Sequence, residues 1–178
     1  LGRFDDAVKS FKKSIKISSN FAEAHNNYGN LLADLGRRDD SIKSFKKAIE
    51  INPNFAEAYN NLGNVFKSLN KIKDSVQSYE MAIEINPNFA EAYNNLGNLL
   101  TMDSKLLNQA VKCFEKAVEI NPDFAIAHNN LGNAFKDLNY LDEALKSYER
   151  AFDIESSLDN VLGNVLSTKM NSCNWDGL

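Results

Sequence analysis

The sequence predicts an all-α solenoid of stacked antiparallel helix pairs, and three observations predict it. The ten-residue segment FAEAYNNLGN occurs verbatim at Phe55–Asn64 and Phe89–Asn98, with near-copies beginning at Phe21 and Phe124. The four starts are spaced 34, 34 and 35 residues apart (21 to 55, 55 to 89, 89 to 124). Self-similarity at a fixed period of this length marks a repeat architecture, in which each unit buries its apolar face against its neighbours. Within every copy the apolar residues recur at helical rather than strand spacing.

The elements follow in order. Positions are counted from the alanine after each Phe: Ala22, Ala56, Ala90 and Ala125. Positions 4, 7, 8 and 11 are then His25, Tyr28, Gly29 and Leu32 in the first copy, and Tyr59, Leu62, Gly63 and Phe66 in the second. This is one face of an amphipathic helix. A short break follows, LGRRDD or LNKIKD, where Gly36, Asn70 and Asn139 tolerate the left-handed backbone of a tight interhelical turn. A second helix then lines up Ser41, Phe45, Ala48 and Ile49, with counterparts Ser75, Tyr79, Ala82, Ile83 and Ala144, Tyr148, Ala151, Phe152. Its small residues allow close helix approach, and the aromatic fills the space between. Pro53, Pro87 and Pro122 end the unit. The next residues, Asn54, Asn88 and Asp123, are the expected N-caps, with Glu57 and Glu91 at capping-box spacing. Asn20 and Glu23 repeat that arrangement without the proline.

These boundaries divide the chain into units at 1–20, 21–54, 55–88, 89–123, 124–157 and 158–178. Leu1–Asn20 aligns with Leu35–Asn54 and reads as a second helix without its first. Terminal repeats normally need caps, so the expectation is a fragment of a longer protein. The third unit carries one extra residue within TMDSKLLNQA; a turn absorbs this at little entropic cost. Both drift and a binding role for that loop are open readings.

Composition limits the function. A net charge of −4 over 178 residues gives no electrostatic reason to expect nucleic acid or an anionic membrane. No apolar run approaches the roughly 18–20 residues of a membrane span, and LGRFDDAVKS lacks a signal-peptide apolar region. Cys113 and Cys173 stand 60 residues apart in unlike contexts, which is no disulfide framework. The expected location is the cytoplasm. No phosphate loop, metal-spaced cluster or nucleophile elbow is present in the sequence, so neither a cofactor nor catalysis by this chain is expected. His25 and His128 take the packing position 4, too far apart along the repeats to share a metal; Cys113 takes the place of Ser44, Ser78 and Ser147 and reads as structural.

The residues Tyr59, Leu62, Gly63, Phe66, Ser75, Tyr79, Ala82 and Pro87 resemble the tetratricopeptide repeat pattern. That pattern has an aromatic at position 4, Leu-Gly at 7–8, an aromatic or large apolar at 11, small at 20, aromatic at 24, Ala at 27 and Pro at 32, and the match covers four full copies. The resemblance implies a right-handed superhelix whose first helices line a concave groove, used to bind protein or peptide.

At 100° per residue, positions 2, 5, 6, 9 and 13 fall opposite the apolar face. Asparagine fills positions 5, 6 and 9 in every copy: Asn26, Asn27, Asn30; Asn60, Asn61, Asn64; Asn94, Asn95, Asn98; Asn129, Asn130, Asn133. A carboxamide carries both donor and acceptor and matches one peptide unit. A column of them could hold an extended backbone with little regard to side chains. Such an asparagine ladder is known in the tetratricopeptide domains of the O-linked N-acetylglucosamine transferase family; by resemblance its rungs are Asn27, Asn61, Asn95 and Asn130. The alternative is that these residues keep a polar face soluble and bridge adjacent helices. A carboxylate clamp, as in chaperone-binding relatives of the family, is excluded: position 2 holds Glu23, Glu57, Glu91 and Ile126 where such a clamp needs cations. With Asp34 and Asp137 at position 13, against Lys67 and Lys136 at 12, a neutral or basic segment is the favoured ligand. Self-association through terminal helices is a further expectation.

In the last unit, Leu158, Val161, Leu162, Val165 and Leu166 share a helical face. At an offset of 34, Asn164 would be a fifth rung, but LGN at Leu162–Asn164 also matches Leu131–Asn133 at an offset of 31. The end, Leu166–Leu178, resembles the repeat-to-catalytic junction of O-linked N-acetylglucosamine transferase (Spindly-type) proteins. Thr168, Lys169, Met170, Cys173 and Trp175 fit, while Ser167 and Asn174 depart. This implies the substrate-recognition arm of a glycosyltransferase; an irregular capping helix with a tail is the competing reading.

Overall fold

The computed structural model describes residues 8–13, 15, 19–158 and 160–171. It is all-helical among these residues, and the chain separates into two compact units, Leu1–Pro87 and Asn88–Leu178. Residues 8–13 and 15 are helical. In the first unit they are followed by α1 (Ala22–Asp34), α2 (Arg38–Ile51), α3 (Ala56–Ser68) and α4 (Ile72–Ile85). The second unit holds α5 (Ala90–Leu100), a 3-10 turn (Ser104–Leu106), α6 (Leu107–Ile120), α7 (Ala125–Asp137), α8 (Leu141–Ile154) and α9 (Val161–Asn171).

Three of the four pairs close through a turn whose left-handed residue is Gly36 (φ 72°), Asn70 (φ 57°) or Asn139 (φ 63°). The following amide reaches back to the helix, Arg37 N–H to Leu32 at 2.8 Å and Lys71 N–H to Phe66 at 2.9 Å. Those bonds satisfy carbonyls that the helix end would otherwise leave unpaired. The inserted residue of the third unit is absorbed by the 3-10 turn, where Asp103 accepts from the Lys105 amide at 3.0 Å.

The expected N-caps are corrected. The helices start one residue later, on Phe55, Phe89 and Phe124, with no side-chain cap, and the first repeat likewise starts on Phe21. The asparagine before the proline takes the polar role instead: Asn52 Oδ1 accepts from the Asn54 amide and Asn121 Oδ1 from the Asp123 amide. This side-chain-closed turn holds the Asn54 and Asp123 backbone amides outside the helix, and helix entry falls on the next residue.

The core is laid down pair by pair. Phe45, Tyr79, Phe114 and Tyr148 are completely buried, each against a position-8 glycine. A methyl group on Gly29, Gly63, Gly97 or Gly132 would lie 2.6–2.7 Å from the facing ring. Phe45, Leu62, Val65 and Phe66 form the centre of the first unit; Val111, Phe114, Leu131 and Ala134, then Leu145, Tyr148 and Val165, form that of the second. Burying one such aromatic contributes roughly 1.5–3 kcal/mol. Two buried serines are satisfied by position-8 carbonyls, Ser41 to Gly29 at 2.7 Å and Ser75 to Gly63 at 2.9 Å.

Candidate functional site

The asparagines separate by depth. At position 5, Asn26 and Asn60 are 7% exposed and Asn94 is 6% exposed, which corrects the expectation that this position faces away from the packing. Position 5 lies roughly 110° from the centre of the apolar face and position 6 roughly 150°. A first helix in a stack is covered by its own second helix and along its flanks. The buried arc therefore reaches position 5 on one side and the alanines Ala24, Ala58, Ala92 and Ala127 on the other. Asn129 is half-buried.

Position 6 bridges to position 5 of the preceding repeat. Asn61 Nδ2 donates to Asn26 Oδ1 at 3.1 Å in the first unit, and Asn130 Nδ2 donates to Asn94 Oδ1 at 2.9 Å in the second. Asn164 Nδ2 donates to Asn129 Oδ1 at 3.1 Å and so occupies position 6, which settles the register of α9 at an offset of 34. Of the face expected on α9, Val161 and Val165 are buried with Thr168, while Leu162 is 53% and Leu166 39% exposed. Bridging between helices, one of the two readings of the asparagines, is thus realised at positions 5 and 6. Each bridge uses one donor of the position-6 amide and leaves its carbonyl oxygen. Asn27, in the first repeat, is exposed, and Asn95 is half-buried.

At position 9, Asn30, Asn64 and Asn133 are exposed and Asn98 is half-buried. Two of them are held from below: Tyr79 Oη donates to Asn64 Oδ1 at 2.7 Å, and Tyr148 Oη donates to Asn133 Oδ1 at 2.8 Å. Burial raises the Tyr79 phenol, and burial with the nearby Asp137 charge pushes Tyr148 up to about 12. Both remain donors across the working pH range.

In the first unit these amides border an open cavity of about 520 Å³ floored by Phe45 and Val65 and lined by Asn30, Asn61, Asn64, Asp34, Arg38 and Ser68. Arg38 Nε donates to Ser68 Oγ at 3.1 Å, and Ser68 donates in turn to the Val65 carbonyl at 2.8 Å. Sequence reasoning missed Arg38. The signal was available, since the same repeat position holds apolar Ile72 and Leu141 in other copies.

The remaining candidates are structural. His128 Nε2 lies 3.0 Å from the Pro122 carbonyl and His25 Nε2 lies 3.3 Å from that of Ser19, so this nitrogen carries the proton in both. Burial lowers the His128 pKa, against the raising effect of its bond to Pro122. Thr168 is fully buried, its hydroxyl without a hydrogen-bond partner among the described residues, and Lys169 pairs with Glu149 at 3.2 Å. Met170 is exposed on α9, whereas Cys173, Asn174 and Trp175 lie outside the described residues. Cys113 is half-buried. Among the described residues no group of three or more His, Cys, Asp or Glu is placed to hold a metal ion, and no helix is long and apolar enough to cross a membrane.

A family profile described as "TPR repeat" matches residues 1–36, 29–70, 63–103 and 102–139, and another described as "Tetratricopeptide repeat" matches residues 125–157. Among solved structures, MamA is 30% identical with a TM-score of 0.75, over 87% of this chain and 90% of that one. YrrB, described as a TPR protein with an unusual peptide-binding site, is 22% identical with a TM-score of 0.75, over 95% of this chain and 87% of that one. A thermophilic TPR protein from Thermus thermophilus, TTC0263, is 18% identical with a TM-score of 0.75, over 96% and 92% of the two chains. The last two likenesses concern the fold alone. No curated protein matches the sequence.

Proposed function

The chain belongs to the tetratricopeptide repeat family, and from that premise we propose that it is a binding scaffold that holds an extended peptide segment against the asparagines of its first helices. The observation that carries the reading is the exposed amide edge: Asn64 and Asn133 at position 9, beside the half-buried Asn61 and Asn130 at position 6. In the first unit this edge opens onto the cavity between Asp34 and Arg38. Carboxamides pair with backbone N–H and C=O groups of any residue, so the ligand is read mainly by its main chain. Exposed Glu23, Glu57, Glu91, Asp34 and Asp137 favour a neutral or basic segment over an acidic one. The buried position-5 asparagines leave the proposed contact surface, and positions 6 and 9 remain. The chain's own role in this reading is recognition rather than chemistry.

Selection of binders from a displayed library of random 12-residue peptides tests the idea. Asn64→Ala together with Asn133→Ala is expected to weaken the selected peptides by about two- to tenfold per lost hydrogen bond. Each substitution also leaves a fully buried phenol, Tyr79 or Tyr148, without its acceptor, so a stability loss of about 1–3 kcal/mol per site is expected, and affinity is compared on the folded protein. Asn61→Ala likewise strands the buried Asn26 carbonyl. Unchanged affinity in the Asn64/Asn133 double variant would remove position 9 from the site.

Two further readings are open to test. Leu162, Leu166 and Met170 are exposed on α9, which favours self-association through that helix; a monomer in sedimentation at high concentration removes it. The glycosyltransferase-arm reading rests on the resemblance of Leu166–Leu178. It requires the parent reading frame to continue past Leu178 into a sugar-nucleotide-binding domain, and a stop codon there ends it.

A further inference from the structure

We propose that Tyr79 and Tyr148 set the direction in which Asn64 and Asn133 present their amides, so that the second and fourth repeats each offer a bound peptide one acceptor and one donor in fixed order. This rests on the peptide-binding reading and specifies how the ligand backbone is read. An asparagine amide has nearly the same shape either way round, and either end faces a ligand unless another contact fixes it. A phenol can accept as well as donate, but the hydroxyl proton of fully buried Tyr79 finds its acceptor in Asn64 Oδ1 at 2.7 Å, and this favours Nδ2 facing outward with its N–H groups. One turn earlier the opposite end is taken. Asn61 gives an N–H to Asn26 at 3.1 Å and keeps its carbonyl oxygen for a ligand.

Residues three apart on a helix are surface neighbours, with Cβ atoms roughly 5–6 Å apart. An extended peptide residue presents its own N–H and C=O on one side of the chain, as in an antiparallel hydrogen-bonded pair. The N–H therefore meets Asn61 and the C=O meets Asn64, which orders the ligand from its amino to its carboxyl end along α3. The second unit repeats the device independently: Asn130 is bonded to Asn94 at 2.9 Å, and Asn133 is held by Tyr148 at 2.8 Å. A phenol with a raised pKa stays protonated, so the lock persists at alkaline pH. Phe45 and Phe114 occupy the same place in the first and third repeats, fully buried and without a hydroxyl. Asn30 and Asn98 therefore have no phenol beneath them.

The phenylalanine repeats show that the ring alone sustains the fold, so Tyr79→Phe and Tyr148→Phe are mild probes. The binding probe is a peptide selected on the wild-type protein from the displayed 12-residue library. Each variant is expected to bind it about two- to tenfold more weakly, with an unchanged circular dichroism spectrum and a shifted Asn64 or Asn133 side-chain NH2 resonance. A double-mutant cycle separates positioning from packing: Asn64→Ala is expected to cost less affinity in the Tyr79→Phe background than in the wild type. Equal affinity in both tyrosine variants, or fully additive losses, overturns the inference and leaves the peptide-binding reading standing. Failure to select any peptide overturns that reading and the inference with it.

Discussion

A methyl group added at Gly63 would lie 2.6 Å from the Tyr79 ring, while one added at Gly163 would meet nothing within 4 Å among the described residues. Both glycines sit in first helices within the same three letters, LGN, so sequence alone treats them as equals. Overpacking a buried ring costs about 1–3 kcal/mol, and replacing a helical glycine by alanine returns up to about 1 kcal/mol. Gly63→Ala is therefore expected to lower the urea-unfolding free energy by about 1–2 kcal/mol, and Gly163→Ala to raise it by up to about 1 kcal/mol. Equal effects from the two would mean that Gly163 is packed against a ring as Gly63 is.

At the scale of elements, His128 joins the start of α7 to the turn before it, through its bond to the Pro122 carbonyl. Burial holds its pKa below the ordinary histidine value. The unfolded chain thus binds a proton at a higher pH than the folded one. Stability from this residue is complete above the ordinary histidine range and declines as pH falls through that range toward the lowered folded value. His128→Tyr, which copies Tyr59 and Tyr93 at the same position, is expected to flatten that decline in urea titrations between neutral and mildly acid pH. A variant with the wild-type slope would assign the pH dependence elsewhere. How much of these elements was legible varies with what fixes them. Helix pairs and the left-handed turns at Gly36, Asn70 and Asn139 follow from local periodicity and backbone preference, and both were read correctly. Helix starts were misplaced because Asn52 and Asn121 close their turns with their own side chains. The depth of Asn26, Asn60 and Asn94 was missed because a one-face helical wheel ignores the flanks that neighbouring helices cover. Arg38 and the two tyrosine locks depend on which side chain meets which across a repeat, and no spacing rule records that.

For the whole molecule, the period of 34 was enough to give the fold class, because every repeat solves the same packing problem with the same residue types. What the repeats add up to energetically is a neutral core with charges outside it. Among the described residues Arg37–Asp40, Lys47–Glu50 and Lys116–Glu119 are ion pairs one turn apart with both side chains well exposed, and Arg150–Asp123 is exposed as well. Of these described pairs only Lys169, paired with Glu149, has a side chain mostly withdrawn from solvent. Exposed pairs of this kind contribute little and are screened by salt, whereas buried ring packing is indifferent to it. Folding is therefore expected to be nearly insensitive to ionic strength, with the same urea midpoint within error at about 0.05 M and about 0.5 M NaCl. Binding of a basic peptide is expected to respond differently, weakening over the same range as Asp34, Asp137 and the exposed glutamates are screened. A salt-dependent folding midpoint would point to charge interactions beyond these pairs. Basic-peptide affinity that does not change with salt would show that the acidic residues take no part in recognition, leaving the asparagine amides to carry it alone.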